Sequence, residues 1–171
     1  MSIIQHHEHQ RVGVFVDVQN LYHTAKHLYG ANVNFSKILE TAVGNRQLIR
    51  AFTYVVKADA PKEQTFFDAL EKAGYEIRVK DIQIFAGGMK KGDWDVGMAM
   101  DAIKTADKLD VVVLVTGDGD FIPLVTYLKE NKGCRVEGIS FQRSSSAKLI
   151  EAVDHFIDLG EKLDVYLIKS K

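Results

Sequence analysis

The chain contains very little cysteine and proline. Among its 171 residues there are one cysteine, Cys134, and two prolines. A single cysteine excludes an internal disulfide framework and is typical of a reducing compartment. Serine- or glycine-rich tracts that would mark a linker are also missing, and the length lies within the ~100–200 residues of one domain. The sequence therefore predicts a single-domain cytoplasmic protein.

Long apolar runs and an excess of either charge are missing as well. No run approaches the ~18 residues of a membrane-spanning helix, and no cationic start followed by an apolar segment marks a secretory signal. Lysine and arginine number 22 against 23 aspartates and glutamates, which gives a net charge of −1. This balance excludes a nucleic-acid binder that works by bulk positive charge, but not an enzyme with a local basic rim.

What the chain does have is an alternation of short apolar runs with segments of helical periodicity. The apolar runs predict buried strands at residues 12–16, 48–56, 75–80, 111–115 and 135–140, with 82–85 also extended. Helices are predicted at residues 20–29, 36–42 with Ser36 as cap, 60–73, 93–106, 121–132, 146–153 and 161–168. This order predicts an α/β fold with a mainly parallel sheet, whose ligands bind beyond the carboxyl ends of the strands.

Acidic residues follow two of these strands and line one helix. They are Asp17, Asp93, Asp95, Asp101, Asp118 and Asp120. Singly, such residues often cap helices, as Asp17, Asp93 and Asp120 could here. Gathered at one sheet edge they would repel, since two unit charges ~4 Å apart at an effective dielectric of ~20 interact by about 4 kcal/mol. Hard divalent cations such as Mg²⁺ or Mn²⁺ suit such a set of oxygen ligands.

Helix geometry limits the role of Asp101. Asp95 and Asp101 are six residues apart, which separates them by about 120° around a helix. Both cannot point squarely into one site from the middle of a helix, and Asp95 lies nearer the helix start. Asp101 is therefore left as a direct ligand, a supporting residue or a salt-bridge partner.

Several common α/β sites are absent from the sequence. The first strand is not followed by GxGxxG, and there is no GxxxxGK[ST] loop and no GxSxG elbow. A phosphatase of the haloacid dehalogenase type would need a second aspartate two residues after Asp17, where the chain has Gln19. Cys134 is interpreted as a core residue.

Four segments resemble the motifs of NYN domains, in the expected order. They are residues 15–20 (FVDVQN), residues 91–96 (KGDWDV) continuing to Asp101, residues 116–125 (TGDGDFIPLV), and residues 146–149 (SAKL) with 153–156 (VDHF). The third segment is specific and the others are weaker alone. The resemblance covers nearly the whole chain, and the LabA-like branch is the most similar.

The resemblance implies a PIN-like three-layer sandwich over residues 11–159 and a ribonuclease site dependent on Mg²⁺ or Mn²⁺. The implied metal ligands are Asp17, Asp95, Asp118 and Asp120, with Asp101 as a further catalytic acid. Asn20, Thr116 and Ser146 would support them. Thr116 stands where serine is usual, which keeps the hydroxyl, and Trp94 stands where a small aliphatic residue is commoner.

Single-stranded RNA is the expected partner, and it needs local positive charge and stacking surfaces. The candidates are Lys90, Lys91, Trp94, Arg143 and Lys148, although loop cations are often merely solvated and Trp94 could equally be packing. One alternative is a non-catalytic module that binds RNA or a protein. A weaker one is a phosphohydrolase acting on a small nucleotide.

The two ends of the chain are set apart from the predicted domain. Residues 1–10, with three histidines, are expected to form a flexible N-terminus. Residues 160–171 are expected to form a helical extension, which either packs on the sheet or makes a homodimer.

Overall fold

The computed structural model describes residues 7–81, 83–84, 90–91 and 93–169, with the backbone alone for 83–84 and 90–91. The strands are β1 (Arg11–Asp17), β2 (Asn32–Val33), β3 (Gln47–Lys57), β4 (Glu76–Asp81), β5 (Gln83–Ile84), β6 (Lys90–Lys91), β7 (Val111–Val115), β8 (Arg135–Ser140), β9 (His155–Asp158) and β10 (Leu167–Ile168). The α-helices are α1 (Val18–Tyr29), α2 (Phe35–Val43), α3 (Glu63–Ala73), α4 (Asp95–Thr105), α5 (Ile122–Asn131), α6 (Ala147–Ala152) and α7 (Leu163–Tyr166). Short 3₁₀ turns lie at Ala106–Lys108, Gly119–Phe121, Gln142–Ser144 and Leu159–Lys162.

Six of the strands form one sheet in the order β4-β3-β1-β7-β8-β9. Every neighbouring pair in this sheet is parallel. Two small antiparallel pairs, β10 with β2 and β5 with β6, lie outside it. The predicted α/β fold with a mainly parallel sheet is confirmed, and it is consistent with a PIN-like domain.

The sheet is covered on both faces, which gives three layers. Val12, Val14 and Val16 of β1 pack into a cluster with α1, α2 and α3, whereas Phe15 packs on the opposite face with α4, α5 and α6. All five residues of β7 are buried. Because a central parallel strand is covered on both sides, it reads as a continuous apolar run rather than an alternating one.

The order in which the strands are added to the sheet reverses between β1 and β7, which makes this place the switch point of the sheet. From β1 the chain goes outward through β3 to β4, then crosses to β7 on the other side of β1 and continues to β8 and β9. Helix α1 packs on one face and α5 on the other. The carboxyl ends of two such strands border a crevice, which is where open α/β sheets bind ligands.

Several local boundaries differ from the prediction. Helix α2 is capped by Asn34, whose Oδ1 accepts from the Lys37 N–H at 3.1 Å, and not by Ser36. Helix α3 begins only at Glu63, because Lys62 has φ +68° and a left-handed residue cannot continue a right-handed helix. Strand β9 was not predicted, since it is an edge strand with only two apolar residues in four.

The C-terminal extension packs on its own chain. Within residues 160–169, the α-helix covers only Leu163–Tyr166, and β10 then pairs with β2. Tyr166 is buried and its hydroxyl lies 2.7 Å from that of Thr41, while Leu163 and Leu167 pack against the core. Leu163, Tyr166 and Leu167 are thus covered by this chain, whereas Val165 is 37% and Ile168 50% exposed. The structure does not support the predicted homodimer.

The N-terminal segment is described from His7 onward, and residues 1–6 lie outside the described residues. The Gln10 carbonyl accepts from the Gln47 N–H at 3.1 Å. Flexibility over residues 1–10 stays a prediction. None of the helices in the described part of the chain has the length and apolarity needed to cross a membrane.

Candidate metal centre

Three aspartates meet at the crevice between β1 and β7. Asp17 is the last residue of β1, Asp118 lies in the loop after β7, and Asp95 is the first residue of α4. Each offers a carboxylate oxygen, and these oxygens all lie within 4.8 Å of one another. We call these three residues the acidic cluster.

Asp17 is held by hydrogen bonds to both of its oxygens. Oδ1 accepts from the Asn20 N–H at 3.2 Å, so Asp17 caps α1, as one interpretation of the sequence proposed. Oδ2 accepts from the Thr116 hydroxyl at 3.1 Å. The strand end and the helix start therefore share one side chain, which orients the carboxylate toward the crevice.

Asn20 and Thr116 join the end of β1 to the loop after β7. The Asn20 side-chain oxygen accepts from the Gly117 N–H at 3.0 Å, and the Thr116 hydroxyl oxygen accepts from the Asp118 N–H at 3.2 Å. The buried Thr116 hydroxyl thus donates to one aspartate of the acidic cluster and holds the backbone of another. A serine would do the same, whereas valine could not.

The loop after β7 needs its glycines because the serine segment after β8 lies against it. A Cβ on Gly117 would stand 2.6 Å from the Ser145 Oγ, and one on Gly119 would stand 2.8 Å from the Ser146 Oγ. The Ser146 N–H donates to the Gly117 carbonyl at 2.9 Å, and its Oγ accepts from the Leu149 N–H at 3.3 Å. Ser146 therefore supports the loop and caps α6.

The start of α4 is anchored by Trp94. Its indole N–H donates to the Val55 carbonyl at 2.8 Å, and its ring packs 5.5 Å from that of Tyr54. The half-buried ring also lies against Gly97, and the Lys80 ammonium is 5.2 Å from its centroid. These contacts favour packing over base stacking for Trp94, and they position Asp95.

Asp120 and Asp101 lie outside the acidic cluster. Asp120 is exposed on the turn Gly119–Phe121, and its N–H donates to the Asp118 Oδ1 at 2.9 Å. The interpretation of Asp120 as a helix cap does not hold, because Asp118 caps this turn and Phe121 precedes α5 without a side-chain cap. Asp101 accepts from the Tyr54 hydroxyl at 2.8 Å and from Arg78 at 3.2 Å, as the angular argument allowed.

The electrostatics of the acidic cluster favour a cation. Burial raises the pKa of Asp17. Burial, followed by repulsion from Asp118, Asp17 and Asp93, raises the pKa of Asp95 to about 7. None of the ion pairs found among the described side chains involves the three residues of the acidic cluster. An all-oxygen set of carboxylates with surplus negative charge fits a hard divalent cation.

The residues predicted to meet RNA are only partly placed. Arg143 and Lys148 are exposed on either side of Ser145 and Ser146, which contact the loop after β7. The side chains of Lys90 and Lys91 lie outside the described residues. Sequence reasoning missed Tyr54 and Arg78, the partners of Asp101, because no motif connects strand residues to a helix 20 or more positions away.

A six-stranded parallel sheet with acidic residues at its point of reversal places the protein among the PIN-like α/β domains. Residues 11–163 match the family model named NYN domain, and the chain belongs to that family, which is part of the PIN-like nuclease superfamily. The resemblance identified from the motifs is thereby confirmed.

The chain is similar to several proteins of known sequence or structure. Low amplitude and bright protein LabA from Synechococcus elongatus is 27% identical over 160 residues, covering 88% of this chain and 84% of that protein. An uncharacterized protein of Methanocaldococcus jannaschii is 26% identical over 136 residues, covering 78% of this chain and 51% of its own length. A crystal structure of a protein of unknown function from Vibrio parahaemolyticus superposes with a TM-score of 0.86 at 32% identity, covering 96% of this chain and all of that chain.

Proposed function

We propose that this chain is a metal-dependent ribonuclease that hydrolyses phosphodiester bonds of single-stranded RNA with Mg²⁺ or Mn²⁺ held at the acidic cluster. The observation that carries this proposal is the meeting of Asp17, Asp95 and Asp118 oxygens within 4.8 Å at the switch point of the sheet. Membership in a nuclease superfamily supports the reaction type.

The chain's own residues would prepare the site before substrate arrives. Thr116 holds both Asp17 and the backbone of Asp118, so two of the ligands are oriented by one buried hydroxyl. Asp95, with its pKa near neutrality, would release its proton as the cation binds. A bound divalent ion supplies a water of lowered pKa and offsets the charge that develops on the phosphoryl group.

The remaining predicted acids would act from outside the acidic cluster. Asp120 stands exposed beside Asp118 and could reach a metal through water. Asp101 is a positioning residue in this proposal, since it holds the Tyr54 hydroxyl, and Tyr54 packs on the tryptophan that anchors α4. Arg143 and Lys148 would approach the RNA phosphates from the serine segment.

Cleavage of single-stranded RNA in Mn²⁺ by the wild type and by Asp118→Asn tests the proposal. Asparagine keeps an oxygen that can accept from the Asp120 N–H, so the turn is preserved while the charge is removed. Asp164→Asn, an exposed acid on α7, is the matched control and should cleave as the wild type does. Equal cleavage by Asp118→Asn and the wild type would refute the proposal.

A second candidate function is a non-catalytic regulatory module that binds a protein. An apolar groove of about 420 Å³ runs between α4 and α5 beside Asp95 and Asp120, and Val96 on its wall is 76% exposed. Mn²⁺ distinguishes the two functions, because it should raise the melting temperature of a metal-dependent enzyme and leave that of an interaction module unchanged.

A further inference from the structure

A second cavity lies between α1 and α3, on the face of the sheet opposite to α4 and α5. Its volume is about 330 Å³, and it lies beyond the carboxyl ends of β1 and β3. Ligand pockets generally measure ~300–1,000 Å³, so this one has room for a single small ring system rather than a length of polymer.

The cavity is continuous with the acidic cluster along the chain. Val18 and Gln19, which line it, directly follow Asp17. Consecutive Cα atoms are ~3.8 Å apart, so the nearest wall begins one residue from a proposed metal ligand. The Asp17 carboxylate is held at the start of α1 by the Asn20 N–H and the Thr116 hydroxyl. These bonds fix the position of the carboxylate relative to Val18 and Gln19 in the cavity wall.

The walls combine aromatic faces with a polar rim. Tyr22 is 45% exposed at the mouth, and the half-buried Phe66 and Phe67 form the α3 side. Glu63 stands at the rim, with its Oε2 fixed by the Ala58 N–H at 3.0 Å, and Gln19 adds an amide. A ligand matched to these walls has a flat apolar face and an edge that carries hydrogen-bonding groups.

We propose that this cavity, the α1–α3 cavity, receives one nucleobase of the RNA next to the phosphate held at the acidic cluster. A nucleobase has the flat face and the polar edge that the walls require, and stacking on aromatic side chains is how proteins hold splayed bases of single strands. The inference rests on the proposed function, since that function brings a nucleotide chain to Asp17.

Calorimetric titration of the Mn²⁺-saturated protein with AMP, CMP and ribose 5-phosphate tests the cavity without requiring cleavage. The two nucleotides should bind at least tenfold more tightly than ribose 5-phosphate. Tyr22→Ala should weaken nucleotide binding roughly tenfold, the scale of one base stacked on one ring. Tyr22→Phe should restore the affinity, because it keeps the ring.

The matched control is Tyr127→Ala, a tyrosine 38% exposed in the groove between α4 and α5. It should leave nucleotide binding unchanged, and loss of affinity there but not in Tyr22→Ala would overturn the proposal. Equal affinity for ribose 5-phosphate and the nucleotides would also overturn it. Release of phosphate from AMP would assign the cavity to a small nucleotide instead of RNA and overturn it as well.

The metal-dependent cleavage of RNA is judged separately. If RNA is cleaved by the wild type and not by Asp118→Asn while Tyr22→Ala binds nucleotides normally, the proposed function stands and only the base site fails. If nucleotides bind in a Tyr22-dependent manner and no RNA is cleaved in Mn²⁺, the base site stands and the ribonuclease proposal fails.

Discussion

Replacing Asp95 by asparagine tests the electrostatics of the acidic cluster in the absence of metal. Burial and repulsion raise the pKa of the Asp95 carboxyl from 3.8 to about 7. Because its pKa is raised in the folded state, the folded protein binds this proton more tightly than the unfolded chain does. The resulting stabilisation is fully present below pH ~4 and is lost as the pH rises through about 7. Asparagine is neutral throughout, so Asp95→Asn should be the more stable protein at pH 8 in EDTA.

The size of the effect follows from the shift. A rise of the Asp95 pKa from 3.8 to about 7 would lower the free energy of unfolding at pH 8 by ~4 kcal/mol at most. Asp95 is only partly buried, and solvent screening reduces this loss to about 2 kcal/mol. The first turn of α4 favours a carboxylate by ~0.3–1 kcal/mol, which the variant loses. A net gain of about 1 kcal/mol remains, and for a domain of this size it raises the melting temperature by ~2–4 °C.

Thermal unfolding followed by circular dichroism from pH 4 to pH 8.5 in EDTA measures this difference. It should be absent or reversed at pH 4, grow as the pH rises from ~4 to about 7, and level off above that. It should disappear or change sign when Mn²⁺ is added, because only the wild type keeps all three ligands. Asp164→Asn is the control and should follow the wild type. A variant that is less stable than the wild type at pH 8 in EDTA would refute the reasoning.

Three further predictions concern the scaffold. Thr116→Val removes a buried hydroxyl between Asp17 and Asp118 and should cost about 1–3 kcal/mol in urea unfolding with weaker Mn²⁺ binding by calorimetry, whereas Thr116→Ser should retain both. Gly117→Ala places a Cβ 2.6 Å from the Ser145 Oγ and should lower the free energy of unfolding by about 1–3 kcal/mol. Adding Ser145→Ala should restore only part of this stability, because the new Cβ would still be 3.1 Å from the Ser145 Cα. Arg46→Met removes two of the hydrogen bonds to the buried Glu137 carboxylate, which keeps the one from Arg135 Nε at 2.8 Å. It should shift the urea midpoint by the equivalent of ~3 kcal/mol, with cooperative unfolding retained. An unchanged midpoint would contradict this prediction.

Elements with a strong local signal were predicted well. The valine-rich runs that became β1 and β7 are buried on both faces, and short runs of β-branched residues are typical of central parallel strands. Where two local signals competed, the prediction failed. Asn34 and Ser36 are both good caps, and only the backbone conformation around Asn34 decides between them. Strand β9 carries little local signal, since only two of its four residues are apolar, and it is defined by its pairing with β8.

The candidate site shows the same division. Asp17 and Asp118 follow apolar strands, so their place at a sheet edge was predictable from the chain. That Asp95 joins them depends on the Trp94 hydrogen bond to Val55, a contact across 39 residues. Asp101 could be separated from Asp95 by helix geometry, but its partners Tyr54 and Arg78 emerged only from strand neighbours.

The sequence by itself determined the alternation of strands and helices, the parallel α/β class and the motifs of the NYN family, because these depend on periodicity and on residue types at short range. Only the tertiary structure decided that β7 lies beside β1 rather than beyond β4. Strand order is set by contacts between residues about 100 positions apart, such as Asp17 with Thr116, which no local pattern encodes. That order turns separate aspartates into one acidic cluster beside the α1–α3 cavity.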